Sequence, residues 1–245
     1  MERQNIKQTI DTYKQELKRA TYHPILKRDI GEANLDKVNI YSLLLPLLNG
    51  EKWTEAGNTA AIAVGAVHAA FNAHNEIELS DVISTNQQLQ VLSGDYFSGI
   101  HYRLLASLPD IHFILALSTT IGRINELKTS FHNEAPSSPK ELVETIQLIE
   151  AGCIIQFFHT FGYAQYVPLV SAALPLLALE PIVEHSPEQA ILATYGWEVD
   201  NEDAKRVLTE LRLNMEEAID AADFLMPYIK EDIRGMTTPL LDKMI

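Results

Sequence analysis

Residues Leu89–Ala106 read LQVLSGDYFSGIHYRLLA. Hydrophobic residues recur at spacings of three and four, and period-two alternation is absent, so the stretch reads as a helix. Gly94 and Asp95 sit inside this apolar pattern, where propensity favours neither. A glycine in a helix interior costs about 1 kcal/mol against alanine, so Gly94 implies a close approach by a neighbouring element. Asp95 falls on a seam with Val91, Ser98, Tyr102 and Leu105. That places it on the packing face, where a charge needs a partner such as the Ser98 hydroxyl one turn away.

The same period governs the rest of the chain. Helices are expected over Arg3–Ala20, Asp36–Leu48, Thr54–Glu76, Gln87–Leu108 and Asp110–His132. Ser138 caps the next, with Pro139 in its first turn and Glu141 three residues after the cap. It runs to Phe161 and stops at Gly162. A proline-interrupted apolar helix over Tyr166–Val183, a short one after Ser186-Pro187, and a long last one over Asn201–Met226 complete the set. In the last helix Leu208, Leu211, Met215, Ala218, Ala222 and Leu225 form a continuous apolar stripe. In the third, Ala60, Val64, Val67, Phe71 and His74 do the same. Gly57, Gly65 and Gly152 are single glycines within helices and mark close contacts. The chain reads as an all-α helical bundle, a single domain over residues 1–245, since no linker rich in Gly, Ser or Pro divides it.

Composition narrows the function. Asp and Glu outnumber Lys and Arg by 33 to 19, a net charge of -14. Such a surface repels nucleic acid and anionic membranes. One cysteine, Cys153, allows no intrachain disulfide. The N-terminal residues lack the apolar core of a signal peptide, and the longest apolar run, Tyr166–Leu179, is too short to span a bilayer and holds Pro168 and Pro175. A cytoplasmic protein without a transmembrane segment is expected. No Gly-rich phosphate loop or nucleophile constellation is present.

The Gly94-Asp95 helix resembles the Gly-Asp helix of trans-polyprenyl diphosphate synthases. In that family a first Asp-Asp-x-x-Asp motif lies about twenty residues upstream, and its carboxylates hold magnesium against the allylic diphosphate. The matching positions here are Asn75, Glu76 and Leu79. Only Glu76 keeps a carboxylate, Leu79 binds no cation, and Glu78 is off register. No Asp-Asp pair occurs anywhere in the chain, so the second motif is missing too. The two-arginine patch after the first motif is absent from Ser80–Asn86. Lys128-Thr129 resembles the family's diphosphate-gripping Lys-Thr pair but comes one helix early; Glu150-Ala151 stands near the expected place.

With these gains and losses the chain resembles the first subunits (component I) of heterodimeric heptaprenyl diphosphate synthases. The matching blocks are Val91–Gly99, Leu104–Ala106, Pro109–Ile111, Ile124–Lys128, Ala73–Ile77 and His23-Pro24. The resemblance implies an isoprenoid-synthase type of bundle with no catalytic and no metal-binding residue of its own. It implies a separate catalytic subunit (component II), with magnesium in that partner's site. The two together would make all-trans heptaprenyl diphosphate from farnesyl and isopentenyl diphosphates for menaquinone side chains. This chain would complete the product tunnel. Gly94, Asp95, Phe97, Ile100, Tyr102 and Phe113 are the expected tunnel or partner-contact residues, with Phe97, Ile100, Tyr102 and Phe113 as aromatic and aliphatic anchors. The isolated chain could cover the same face by forming a homodimer. Two other readings remain. One is a stand-alone module that binds a prenyl lipid or quinone. The other is a divergent enzyme holding a metal on Glu76, Glu78 and Asp95.

Overall fold

The computed structural model describes residues 2–33, 35–77, 84–130, 138–179 and 185–241. The protein is all-α, with eleven helices and no strand among these residues. They are α1 (Glu2–Ala20), α2 (Pro24–Asp29), α3 (Lys37–Leu48), α4 (Glu55–Asn75), α5 (Thr85–Ala106), α6 (Ile111–Ser130), α7 (Pro139–Phe161), α8 (Val167–Ala178), α9 (Pro187–Tyr195), α10 (Asn201–Asp220) and α11 (Pro227–Leu241). The chain divides into two compact units, Met1–Ile114 and Leu115–Ile245.

In the first unit α4 is the central element. Ala60 through Ala70 are buried on every side of the helix, the pattern of a helix enclosed by others. Thr54 caps it, its hydroxyl accepting from the Gly57 N–H at 3.0 Å. Its small side chains let neighbours come close. At Gly65 a Cβ would collide with the Tyr13 hydroxyl of α1, and that hydroxyl donates to the Ala61 carbonyl at 3.0 Å. Asn58 Nδ2 donates to Glu16 at 2.8 Å. Burial, with Glu16 adding to it, pushes the Tyr13 phenol well above its ordinary range. α5 packs along α4 as well. It starts with a reciprocal cap: Ser84 accepts from the Gln87 N–H, and the Gln87 side chain accepts from the Ser84 N–H.

In the second unit α7 and α8 form the core, and α10 packs against both. Ser138 caps α7 and Gly162 ends it at φ +84°, the left-handed conformation that glycine adopts without penalty. At Gly152 a Cβ would stand 3.0 Å from Leu148 and from Thr120 of α6, the close contact this glycine implied. Phe157, Phe158, Tyr163 and Tyr166 form a layer of tilted and edge-on rings. Asp200 caps α10, accepting from the Asp203 N–H at 2.8 Å, and the stripe from Leu208 to Leu225 is buried throughout.

Beyond ends that shift by one or two residues, the structure departs from the sequence reading at α2, at the break between α10 and α11, and at α8. α2 was not expected; six residues are too few to show a period. The last helix ends at Asp220, and a turn carries the chain to Pro227, where α11 begins. α11 contains Gly235 and Pro239, which mask its pattern. Asp220 and Asp223 each face a cation of α11, Arg234 and Lys230, both at 3.8 Å. α8 ends at Ala178, and its expected extension to Val183 falls outside the described residues.

Candidate functional site

α4 and α5 run antiparallel, and the C-terminal turn of α4 meets the first half of α5. A Cβ on Gly94 would lie 2.5 Å from Cε1 and Nε2 of His74. The close approach that Gly94 implied is therefore made by an imidazole. One turn earlier on α5, Gln90 Nε2 donates to Glu76 Oε2 at 2.5 Å. The Ser93 hydroxyl turns back to the Gln90 carbonyl at 2.7 Å. Beneath these groups lies a cleft of about 160 Å³, lined among others by Asn72, Ala73, Glu76, Gln90, Ser93 and Phe97. Ala69, Ala70, Ala73 and Phe97 form one buried apolar cluster here.

The expected site residues separate into three groups. Asn75 and Glu76 are exposed at the end of α4, while Leu79 and Glu78 lie outside the described residues. Gly94, Phe97, Ile100 and Phe113 are buried, the last three at 5%, 4% and 0% exposure. Tyr102 is 57% exposed. Asp95 is exposed as well, which corrects the packing-face assignment. The true inward stripe of α5 runs one position away, through Ser93, Gly94, Phe97, Ile100, His101 and Leu105. The reason is that the narrow groove beside His74 accepts Gly94 and not a charged neighbour. His74 itself, placed at the end of a core-facing stripe, is exposed at residue level even though its ring covers Gly94.

The outward side of α5 follows from this. Val91 and Leu92 are 38% and 58% exposed, and Tyr102 continues the same side. At Gly99 between them a Cβ would meet nothing within 4 Å. Of the four expected anchors, Tyr102 alone presents its ring to solvent; Phe97, Ile100 and Phe113 are spent on the chain's own core. His101 is 3% exposed, and burial lowers its basicity against a weaker opposing hydrogen bond at the Ser98 backbone.

Magnesium requires oxygen ligands in near-octahedral array. The described end of α4 offers one carboxylate, Glu76, and its Oε2 already accepts from Gln90. Among the described residues no three of His, Cys, Asp and Glu gather as metal ligands would. These residues do not fit a multi-magnesium diphosphate site, and no ionisation step can be derived through them.

In the second unit the structure brings together groups that the sequence keeps apart. Lys128 of α6 feels the charge of Glu150 on α7, and burial pushes its amine below the ordinary lysine range. The Tyr195 hydroxyl donates to Glu150 Oε1 at 3.1 Å, and its ring stacks on Trp197 at 4.7 Å. Burial pushes the neighbouring Cys153 thiol up to about 12. Lys128, one helix early along the chain, is thus within electrostatic reach of Glu150, which stands near the place where the resemblance expected a lysine. Gln90 and Tyr195 were missed; Gln90 carries one signal, standing one turn before Gly94 on the same side of α5.

No helix among the described residues is long and apolar enough to cross a membrane. A family model described as heptaprenyl diphosphate synthase subunit 1 matches residues 23–220. The heptaprenyl diphosphate synthase component 1 of Geobacillus stearothermophilus is 26% identical over 105 residues, which cover 43% of this chain and 48% of that protein. The matched stretch thus spans about half the length of this curated relative. No solved structure matches the chain. The family match covers most of the chain, including the whole α4–α5 pair with its Gly-Asp helix and its one remaining motif carboxylate, Glu76, and on that ground the chain belongs to the heptaprenyl diphosphate synthase subunit 1 family.

Proposed function

We propose that this chain is the non-catalytic subunit of a two-component trans-polyprenyl diphosphate synthase, a cytoplasmic transferase complex with a separate catalytic subunit. The observation that carries the reading is the end of α4. Where the catalytic relatives gather carboxylates, this chain has Asn75 and Glu76, and Glu76 is bonded to Gln90. Stabilising a departing diphosphate is an electrostatic task, and one carboxylate already in use does not perform it. Magnesium and the acidic motifs belong to the partner. The complex condenses farnesyl diphosphate with successive isopentenyl diphosphates to heptaprenyl diphosphate for menaquinone side chains.

The outward side of α5 supports the pairing. Val91, Leu92 and Tyr102 are partly exposed apolar side chains at helical spacing, and a catalytic subunit covers them in this reading. An exposed aromatic residue on such a stripe is a natural anchor.

The test is chain elongation from farnesyl and labelled isopentenyl diphosphates with magnesium, using this chain alone, the catalytic subunit alone, and the two mixed. Activity confined to the mixture is the expected result. Turnover by this chain alone would overturn the reading. Activity of the partner alone, unchanged on mixing, would leave this chain as a prenyl-lipid or quinone binding module.

A further inference from the structure

We infer that the corner where α1 ends and α2 begins is a binding surface for anionic lipid headgroups. Residues 14–28 carry five basic side chains, Lys14, Lys18, Arg19, Lys27 and Arg28, against one acidic, Glu16, in a chain whose net charge is -14. The fold gathers much of this charge into one place. Lys18 and Lys27 converge on Glu32 at 2.5 and 3.3 Å. Arg103 of α5 reaches the Ala20 carbonyl at 3.4 Å and adds a further cation. Arg28 lies beside Asp29, so the acidic groups among these cations are Glu16, Asp29 and Glu32. Glu16 is turned toward Asn58 of α4.

Apolar groups stand among these cations. Tyr22 is 57% and Ile25 48% exposed, and Pro24 between them is exposed too. The Lys27 ammonium lies 5.8 Å from the centre of the Tyr22 ring. The corner is held in place from below. The Tyr96 hydroxyl donates to the Tyr22 carbonyl at 3.0 Å, the His23 ring meets Tyr96 edge-on at 5.1 Å, and Leu26 is buried.

Long cationic side chains around an exposed tyrosine and isoleucine match the boundary of an anionic bilayer, where ammonium and guanidinium groups meet phosphates and the apolar tips enter the acyl edge. The ion pairs to Glu32 and Asp29 are exposed, so they exchange readily for lipid phosphates. At physiological salt, charges farther than roughly 8 Å away are screened, so the acidic remainder of the chain does not cancel this corner. The inference is independent of the subunit reading, because it concerns binding and not turnover.

The test is flotation of the full chain with two kinds of vesicle: phosphatidylcholine alone, and equal parts phosphatidylcholine and phosphatidylglycerol. Binding only to the second, weakened by added salt, is expected. Lys27→Gln with Arg28→Gln should lower that affinity roughly twenty- to thirtyfold at physiological salt, since each basic residue near an anionic surface contributes about fivefold. Tyr22→Ser with Ile25→Ser should weaken it further, while Leu213→Ser, at an exposed residue of the second unit, should leave it unchanged. Circular dichroism checks that each variant is folded. No binding, equal binding to both vesicles, or undiminished binding by the Lys27/Arg28 variant would overturn the inference. Binding to soluble polyglutamate with none to vesicles would also overturn it, making the corner a face for an acidic protein.

Discussion

The imidazole of His74 fills the space in which any side chain at position 94 would begin, 2.5 Å from the site of a Gly94 Cβ. This contact joins the last turn of α4 to α5 and sets which side of α5 turns inward. Gly94→Ala should therefore cost stability in the native background, although helix propensity alone favours alanine by about 1 kcal/mol. In a His74→Ala background the same change should stabilise. Urea unfolding of the four proteins in this cycle gives the coupling, expected at about 0.5–3 kcal/mol for residues in contact. Additive effects would mean that the ring leaves its seat without cost.

Gly65 makes the harsher version of the same contact. Its neighbour is the Tyr13 hydroxyl, which is buried and bonded to Ala61, so it has nowhere to move. Gly65→Ala should cost about 1–3 kcal/mol by overpacking. Tyr13→Phe should cost less, about 0.5–1.5 kcal/mol for one hydrogen bond, and should make Gly65→Ala tolerable. Thermal unfolding of the single and double variants checks the order.

The two sides of α5 should respond oppositely to substitution. Phe97→Ala and Phe113→Ala should each cost about 3–5 kcal/mol of stability. Leu92→Asp and Tyr102→Ala should change stability by no more than about 0.5 kcal/mol yet abolish activity of the mixture with the catalytic subunit. A Leu92→Asp chain that still supports full activity would remove α5 from the interface.

Glu76 is the one carboxylate left at the degenerate motif. Glu76→Gln keeps a group that can bond Gln90, and should leave both stability and magnesium-dependent activity of the mixture unchanged. A large drop in activity at limiting magnesium would instead make Glu76 a ligand.

Alkaline pH should destabilise the fold. Tyr13 and Tyr195 are raised above the ordinary phenol value of 10.0, and Cys153 is raised from 9.0 to about 12, in each case mainly by burial. The native chain keeps these protons while the unfolded chain releases them. Their stabilising contribution is complete below about pH 9 and is lost as pH rises through 9 and 10, by up to about 1.4 kcal/mol per pH unit for each group. Lys128 has the opposite sign, because its depressed amine relieves a cost as pH approaches 10.5. Urea midpoints measured across this range should fall, and Cys153→Ala should flatten the first part of the decline.

The sequence by itself determined the class of fold, most of the helix ends and the absence of an acidic motif. These are local properties. Thr54, Ser138 and Asp200 cap helices because their side chains reach backbone N–H groups within three residues, and Gly162 ends one because it takes a positive φ. The Leu208–Ala218 part of the stripe was legible because apolar and charged residues of α10 lie on opposite sides. In α5 they do not: Val91, Leu92, Phe97, Ile100, Tyr102 and Leu105 surround the helix, so period alone offers two seams and the wrong one contains Asp95. Only the tertiary structure decided between them, because the choice depends on the shape of α4, a column of alanines ending at His74, against which Gly94 fits and Asp95 does not. The pairing of Glu76 with Gln90 and the gathering of Lys128, Glu150 and Tyr195 were out of reach for the same reason. Each joins groups on different helices, and their distances depend on how the helices cross.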